Sequence, residues 1–267
     1  MVCILTLLGS CNKSERDEDV ETLSTRELAI ALHTYEGIIR EVHRYAITDS
    51  LLGGDQSDFS NLGCISKARL NKSIRSFPIT LTITYDSNQT CDDEVPRSGV
   101  IEAIFSGQYM DSGSVITVDL KNLIVNDRLV SGELILTNED LNSNGSLMYD
   151  WRIRNARIQA FNTDITWRGR YKHLWTDGAI TTSNFTDDEF QIAEGSSSGR
   201  NSRGNSFSSE ITSALELTAE CKWIIEGRCK LEVDNLNTRT LNYGESDCDN
   251  VVVSRRNNTY FDVNIDY

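Results

Sequence analysis

The chain has 267 residues, with 26 Lys and Arg against 40 Asp and Glu and a formal net charge of −14. That length can bury a sizeable core, as one large β domain or two small ones. So acidic a surface disfavours nucleic acid as a partner, because phosphates need clustered Lys and Arg, and no apolar run approaches the roughly 20 residues of a membrane-spanning helix.

In chain order, the first feature is a short apolar run ending in Leu7-Leu8-Gly9-Ser10-Cys11. Small residues before a cysteine, after an apolar core, mark a processed secretory signal. The arrangement resembles the lipobox of bacterial lipoproteins, in which the cysteine becomes the lipidated new N-terminus. That resemblance implies that residues 1–10 leave as a signal peptide and that Cys11 carries acyl chains, each buried methylene adding about 0.8 kcal/mol of membrane affinity. Met1 to Leu8 holds no positive charge and is short for a complete signal core, so the expectation is a true start upstream of Met1. Residues 11–23, which include NKSERDEDVET, read as a solvated acidic tether. This tract resembles the export signal of surface-exposed lipoproteins of Bacteroidota.

Residues 24–48 read as the one helix. Ser24 and Glu27 have the spacing of a capping box, and Leu23 and Leu28 that of a hydrophobic staple. Leu28, Ala31, Leu32, Tyr35, Ile38, Ile39 and Val42 recur at helical spacing and form an apolar face that a sheet would cover. Residues 49–63 read as loop. From about Phe77 the period changes to two, first in Ile79, Leu81, Ile83 and Tyr85. Strands follow over 98–109, 114–125 and 128–137, with turns at Asp111-Ser112-Gly113 and Asn126-Asp127. The segments 147–161 and 165–175 form a hairpin across Asn162-Thr163-Asp164. Residues 194–209 (EGSSSGRNSRGNSFSS) read as a flexible loop, and strands resume near 210–220, 222–233, 238–243, 250–255 and 259–266. Short turns between long strands predict a mainly β fold: an antiparallel meander as a curved open sheet, a barrel or a sandwich, with the amphipathic helix packed on it.

Of seven cysteines, Cys3 leaves with the signal and Cys11 is the anchor. Cys64, Cys91, Cys221, Cys229 and Cys248 remain in an oxidising compartment. Cys64 stands as far before Cys91 as Cys221 does before Cys248. Thr84-Tyr85 precedes Cys91-Asp92-Asp93 much as Asn242-Tyr243 precedes Cys248-Asp249-Asn250. This is a weak internal repeat, dividing the β domain at 64–267 into about 64–160 and 165–267. It predicts bridges Cys64–Cys91 and Cys221–Cys248 with Cys229 left over, although spacing alone leaves a Cys221–Cys229 bridge open.

Two stretches, residues 78–138 and 221–250, resemble a family of Bacteroidota envelope lipoproteins of uncharacterised activity. The marks are Arg97-Ser98-Gly99, Ser106-Gly107 with Tyr109, Gly113-Ser114 and Leu241-Asn242-Tyr243-Gly244. The resemblance implies an envelope lipoprotein with a β-rich body and implies no catalytic residue. Cys229 departs from the family pattern.

Candidate chemistry is sparse. His33, His43 and His173 show no paired metal spacing, none of them is placed with an Asp to activate a serine, and neither a cofactor nor a catalytic set is expected. Asp140, Asn142, Asn144 and Gly145 resemble the start of a calcium loop, but position twelve is Trp151 where a Glu is required, and a β-turn explains them better. The richest stretch is 151–175. It holds Trp151, Trp167 and Trp175, and six basic residues against the single acid Asp164. Alternation puts Trp167, Tyr171 and Trp175 on one face and Arg168, Arg170 and Lys172 on the other, with Arg152 and Arg154 on the neighbouring strand. As a binding face, these residues would stack on sugar rings or grip an acidic glycan or envelope protein. As plain architecture, the aromatics are core and the cations solvated or paired.

The expectation is therefore a lipid-anchored outer-membrane protein, with the orientation toward cell surface or periplasm left open, and with a non-catalytic binding, adhesion or structural role. Alanine at Arg168, Arg170 and Lys172 would weaken binding without lowering the melting temperature. Two other readings stand beside it: a periplasm-facing carrier with an apolar cavity between helix and sheet, and a polysaccharide hydrolase with two carboxylates facing across a cleft.

Overall fold

A computed structural model of the chain describes residues 21–49, 52, 65–71, 76–85, 91, 93–182 and 184–265. The lipidation site Cys11, the signal, most of the tether and Cys64 lie outside the described residues. Among the described residues the fold consists of one α-helix, α1 (Leu23–Thr48), a 3-10 turn at Phe185–Asp187, and one antiparallel sheet of thirteen strands in strict sequence order. The strands are β1 (Ile65–Leu70), β2 (Ile79–Tyr85), β3 (Arg97–Phe105), β4 (Val115–Val125), β5 (Arg128–Leu141), β6 (Leu147–Ala160), β7 (Thr163–Asp177), β8 (Glu189–Arg200), β9 (Ser206–Thr218), β10 (Glu226–Val233), β11 (Arg239–Glu245), β12 (Val251–Arg256) and β13 (Thr259–Asn264). The sheet does not close on itself as a barrel.

The helix packs on the sheet as expected, and the sheet curves far enough to wrap it. Nineteen of the 26 residues of α1 are buried, more than one apolar face can account for, and a helix buried all round lies inside its fold. Its side chains reach strands on every side. The Tyr35 hydroxyl donates to the Ser131 carbonyl on β5 at 2.7 Å, and the Thr25 hydroxyl lies 3.0 Å from that of Ser254 on β12. Arg40 donates to the carbonyls of Thr218, Cys221 and Lys222 at 3.2, 2.6 and 2.9 Å. Ile38 packs beside Tyr85, Ile101 and Leu123 of β2, β3 and β4.

What bends so long a sheet around a helix is a series of glycine bulges. Register shifts occur at Gly99 on β3, Gly132 on β5, Gly195 on β8 and Gly227 on β10. All four glycines have positive φ, between 98° and 147°. A bulge adds one residue to one strand, bends it and increases its twist, and repeated bulges curl a sheet. Between bulges the strands alternate plainly: β2 buries Ile79, Leu81, Ile83 and Tyr85, and β10 buries Gly227, Cys229, Leu231 and Val233. The Asn126-Asp127 turn has φ of 47° and 59°, as a two-residue type I′ hairpin requires.

Two local expectations are corrected. The capping box does not form. The helix begins at Leu23, the Ser24 amide donates to the Glu21 carboxylate at 3.0 Å, and Glu27 reaches out to the backbone amide of Ser202 at 2.9 Å. Asn201 in turn donates to the Ser24 hydroxyl at 2.9 Å. A tertiary contact with the β8–β9 turn has taken both side chains from their local role. The flexible loop at 194–209 is also absent. Its residues are the end of β8, the tight turn Asn201–Asn205 and the start of β9. The Asn201 carboxamide oxygen accepts from the amides of Arg203 and Asn205, so the polar composition serves a hairpin turn and two strands with short side chains.

Cys221 and Cys248 form the expected disulfide, with Cα atoms 5.8 Å apart; it ties the β9–β10 connection to the β11–β12 connection. The other expected bridge involves Cys64, outside the described residues. Cys229 is free and buried, which removes the Cys221–Cys229 alternative, and burial pushes its thiol up to about 12.

Candidate functional site

The curl of the sheet sorts the side chains of β6 and β7 by face. Trp151, Trp167, Tyr171 and Trp175 all point inward and are buried. Tyr35 of α1 packs on Trp167, with ring centroids 5.3 Å apart, and His43 meets Trp175 edge-on at 4.5 Å. These aromatics are therefore core, and the part of the binding-face expectation that needed Trp167, Tyr171 and Trp175 exposed to a ligand is not met.

The basic residues point outward. Asp150, buried at 1 % exposure, gathers Arg152 and Arg170, each at 2.6 Å, and Lys172 at 3.6 Å. Burial would raise the Asp150 carboxyl, but the bonds from Arg170 and Arg152 outweigh it and hold it below the usual range. Arg170 and Lys172 thus keep a buried carboxylate satisfied, and removing both would leave it short of donors. Arg154 and Arg168 have lighter duties. Arg154 comes only to 4.0 Å from Glu133, and Arg168 donates its Nε to the Ser198 hydroxyl at 2.9 Å and has no carboxylate partner among the described residues.

Register places these arginines against the serines of the next strands. One rung across the outer face reads Arg152, Arg170, Ser196, Glu210, Lys230 from β6 to β10, and the next reads Arg168, Ser198, Ser208, Glu232 from β7 to β10. Short serine side chains lie between long charged ones, so the outer face carries a trough of about 690 Å³. A second depression of about 490 Å³ continues it, sharing Asn155, Arg168 and Ser198 and extending to Arg157, Arg200 and Ser206. The hairpin at 151–175 supplies one wall. The floor and far wall come from the segment read as loop and from β10, which alternation alone did not connect to it. The missed signal was the Asn201-to-Asn205 turn in the middle of the serine-rich run.

Two other polar clusters differ in kind. In the core, the Tyr109 hydroxyl lies 3.0 Å from His43 Nδ1, His43 Nε2 lies 3.1 Å from Asp188, and Trp175 Nε1 donates to Asp188 at 2.9 Å. With Asp188 accepting, the network assigns the His43 proton to Nε2 and makes Nδ1 the acceptor from Tyr109. Glu36 lies beside it, 3.3 Å from His173 and 3.6 Å from Arg40. His43, Asp188, Glu36 and His173 are all at most 5 % exposed, so the chain joins helix to sheet away from solvent. The three histidines are thus all buried.

A cleft of about 520 Å³ lies between the C-terminal half of α1, the Asp93–Arg97 segment and the β9–β10 connection. Glu41 and Asp93 both line it, the first raised by burial, the second lowered because bonds from Arg97 outweigh its burial. Arg97 binds both Asp93 oxygens, at 2.8 and 2.6 Å, and Lys222 donates to the Asp93 carbonyl at 2.9 Å. These groups strut the loops around the helix. The calcium-like Asn142 likewise spends its side-chain oxygen on the amides of Asn144 and Ser146 in its own turn.

No family model, no curated protein and no solved structure matches this chain.

Proposed function

We propose that the protein is a non-catalytic binding protein of the bacterial envelope, tethered through lipid on Cys11, that holds its ligand on the outer face of β6–β10. The observation that carries this reading is the trough: Arg154, Arg168 and Arg170 above a serine floor, in a chain of net charge −14. A cationic groove on an acidic protein concentrates anionic ligands locally while the rest of the surface repels them. The rigid sheet beneath keeps the groove open without a ligand. The signal-like N-terminus and acidic tether support envelope attachment. A carrier would need apolar space beside the helix; the crevice where Thr34 and Ile38 meet Tyr85 and Leu123 has no room for a water molecule, and the roomier cleft at the C-terminal half of α1 is lined by charged side chains, among them Arg40, Glu41, Arg44, Asp93, Arg97 and Lys222.

The test uses Arg154→Ala with Arg168→Ala. The pair at Arg170 and Lys172 is unsuitable because it supports Asp150. A chain carrying Cys11→Ser, which takes no lipid, should sediment with isolated outer-membrane material, and the same chain with the double substitution should do so at least about tenfold less, a loss of about 1.4 kcal/mol, with an unchanged melting temperature. Equal sedimentation of the two proteins overturns the binding face. Absence of acyl label on Cys11 in cells overturns the tether, and protease cleavage on intact cells places the β domain outside.

A further inference from the structure

From the donors and acceptors in the trough we infer that its ligand is an acidic glycan, a chain of sugars bearing carboxylates, bound through its carboxylate and hydroxyl groups without aromatic stacking. The inference rests on the binding face just proposed and names its ligand class.

The two walls are chemically different. Arg154, Arg168 and Arg170 are donors only, and Arg168 uses one of its five N–H groups on Ser198 and leaves the rest without a protein acceptor among the described residues. A planar guanidinium with free N–H groups matches a carboxylate bidentately. Across the floor, Glu210 and Glu232 offer acceptors, with Lys230 bound to Glu232 at 2.6 Å. Carboxylate acceptors take hydroxyl donors, and the floor hydroxyls of Ser196, Ser198 and Ser208 both donate and accept. A ligand complementary to all three surfaces carries carboxylates on one edge and hydroxyl donors on the other.

That pattern separates the polyanions. A phosphodiester chain has negative charge throughout and would meet Glu210 and Glu232, and the stacking platforms that single-stranded nucleic acid uses are here turned into the core as Trp151, Trp167 and Trp175. An acidic peptide brings carboxylates to both walls. A uronate-containing glycan brings one carboxylate per acidic sugar and hydroxyls on the rest of each ring. The trough and its continuation run along the strands from Arg170 to Thr166, a length of about 13 Å at roughly 3.3 Å per residue, so the site takes a short run of chain from the side and leaves both chain ends free.

The experiment titrates the full chain by calorimetry with oligogalacturonate, with the same oligomer reduced to neutral sugars, and with poly-glutamate. Oligogalacturonate should bind, and both carboxyl reduction and Arg168→Ala should weaken it by at least about tenfold, with Arg168→Lys failing to restore it because an ammonium makes no bidentate fork. Glu210→Gln should not strengthen the glycan. Poly-glutamate binding as tightly as the glycan, and more tightly in Glu210→Gln, would overturn the glycan in favour of an acidic protein segment. If none of the three probes binds while envelope material is still lost in the Arg154/Arg168 variant, the ligand class is wrong and the binding face stands. If envelope binding is insensitive to that variant, the face itself fails.

Discussion

His33 sits in the middle of the buried helix, edge-on to Trp223 with ring centroids 5.2 Å apart. Burial, reinforced by Arg40, lowers its pKa from 6.5 to about 3. Burial lowers His43 as well, against the pull of Asp188. A histidine depressed in the folded state takes up its proton first in the unfolded chain, so its effect is absent above the unfolded value and stability falls as pH drops from about 6.5 toward the folded value. His33 by itself should remove about 2 kcal/mol of stability between pH 6.5 and 5. Urea unfolding at several pH values measures this directly, and His33→Phe should flatten that slope. A slope equal to that of the parent would mean that the acid sensitivity lies elsewhere.

The bulges act at the next scale. At Gly99, φ is +98° and an added Cβ would stand 2.3 Å from the Asn122 carbonyl oxygen; at Gly227, φ is +112° and the distance to the Ala214 carbonyl oxygen is 2.1 Å. Neither site can take a side chain unless the partner strand moves, and the backbone conformation is itself strained for any other residue. Gly99→Ala should therefore destabilise the protein by about 1–3 kcal/mol, read as a lower urea midpoint. Gly145→Ala is the control: its φ is +87°, but open space surrounds it, so it carries the backbone strain without the clash and should lose less. Equal losses at the two sites would remove the argument that the bulge needs close strand approach.

For the whole molecule, the helix determines cooperativity. It bonds to β5 through Tyr35 and to β12 through Thr25, and reaches β7 through Glu36 and the β9–β10 connection through Arg40. Neither half of the sheet, taken as 64–160 and 165–267, has this core to itself. The chain should unfold in one transition, with far-ultraviolet circular dichroism and tryptophan fluorescence coinciding. Two separate transitions would show that the weak repeat marks two folding units.

Most of the chain order was legible before the structure, because those elements rest on local physics; β1 (Ile65–Leu70) and β8 (Glu189–Arg200) were not read as strands. Ile79 to Tyr85 alternate because a strand has a period of two, Leu28 to Val42 repeat because a helix has 3.6, and Asn126-Asp127 turns because these residues tolerate positive φ. The match of Cys221 with Cys248 was likewise visible in spacing. The split of the hairpin at 151–175 into an aromatic face and a basic face followed from the same alternation, and with it one wall of the trough.

Tertiary structure decided the rest. Ser24 and Glu27 have the spacing of a capping box and do not form one, because the β8–β9 turn offers them longer-range partners. The serine-rich run from 194 to 209 has the composition of a loop and is two strands, because its neighbours β7 and β10 supply the backbone partners that composition cannot register. Whether a curved sheet lies on the helix or surrounds it depends on bulges whose effects add across many strands, and no single window of residues contains that sum. Local periodicity determined most of the elements this protein has, α1 and all strands but β1 and β8, and which face of each is apolar. Only the closing of β6–β10 side by side decided that arginines from one segment and serines from another share a surface, since register between distant strands is set by the packing of the whole core.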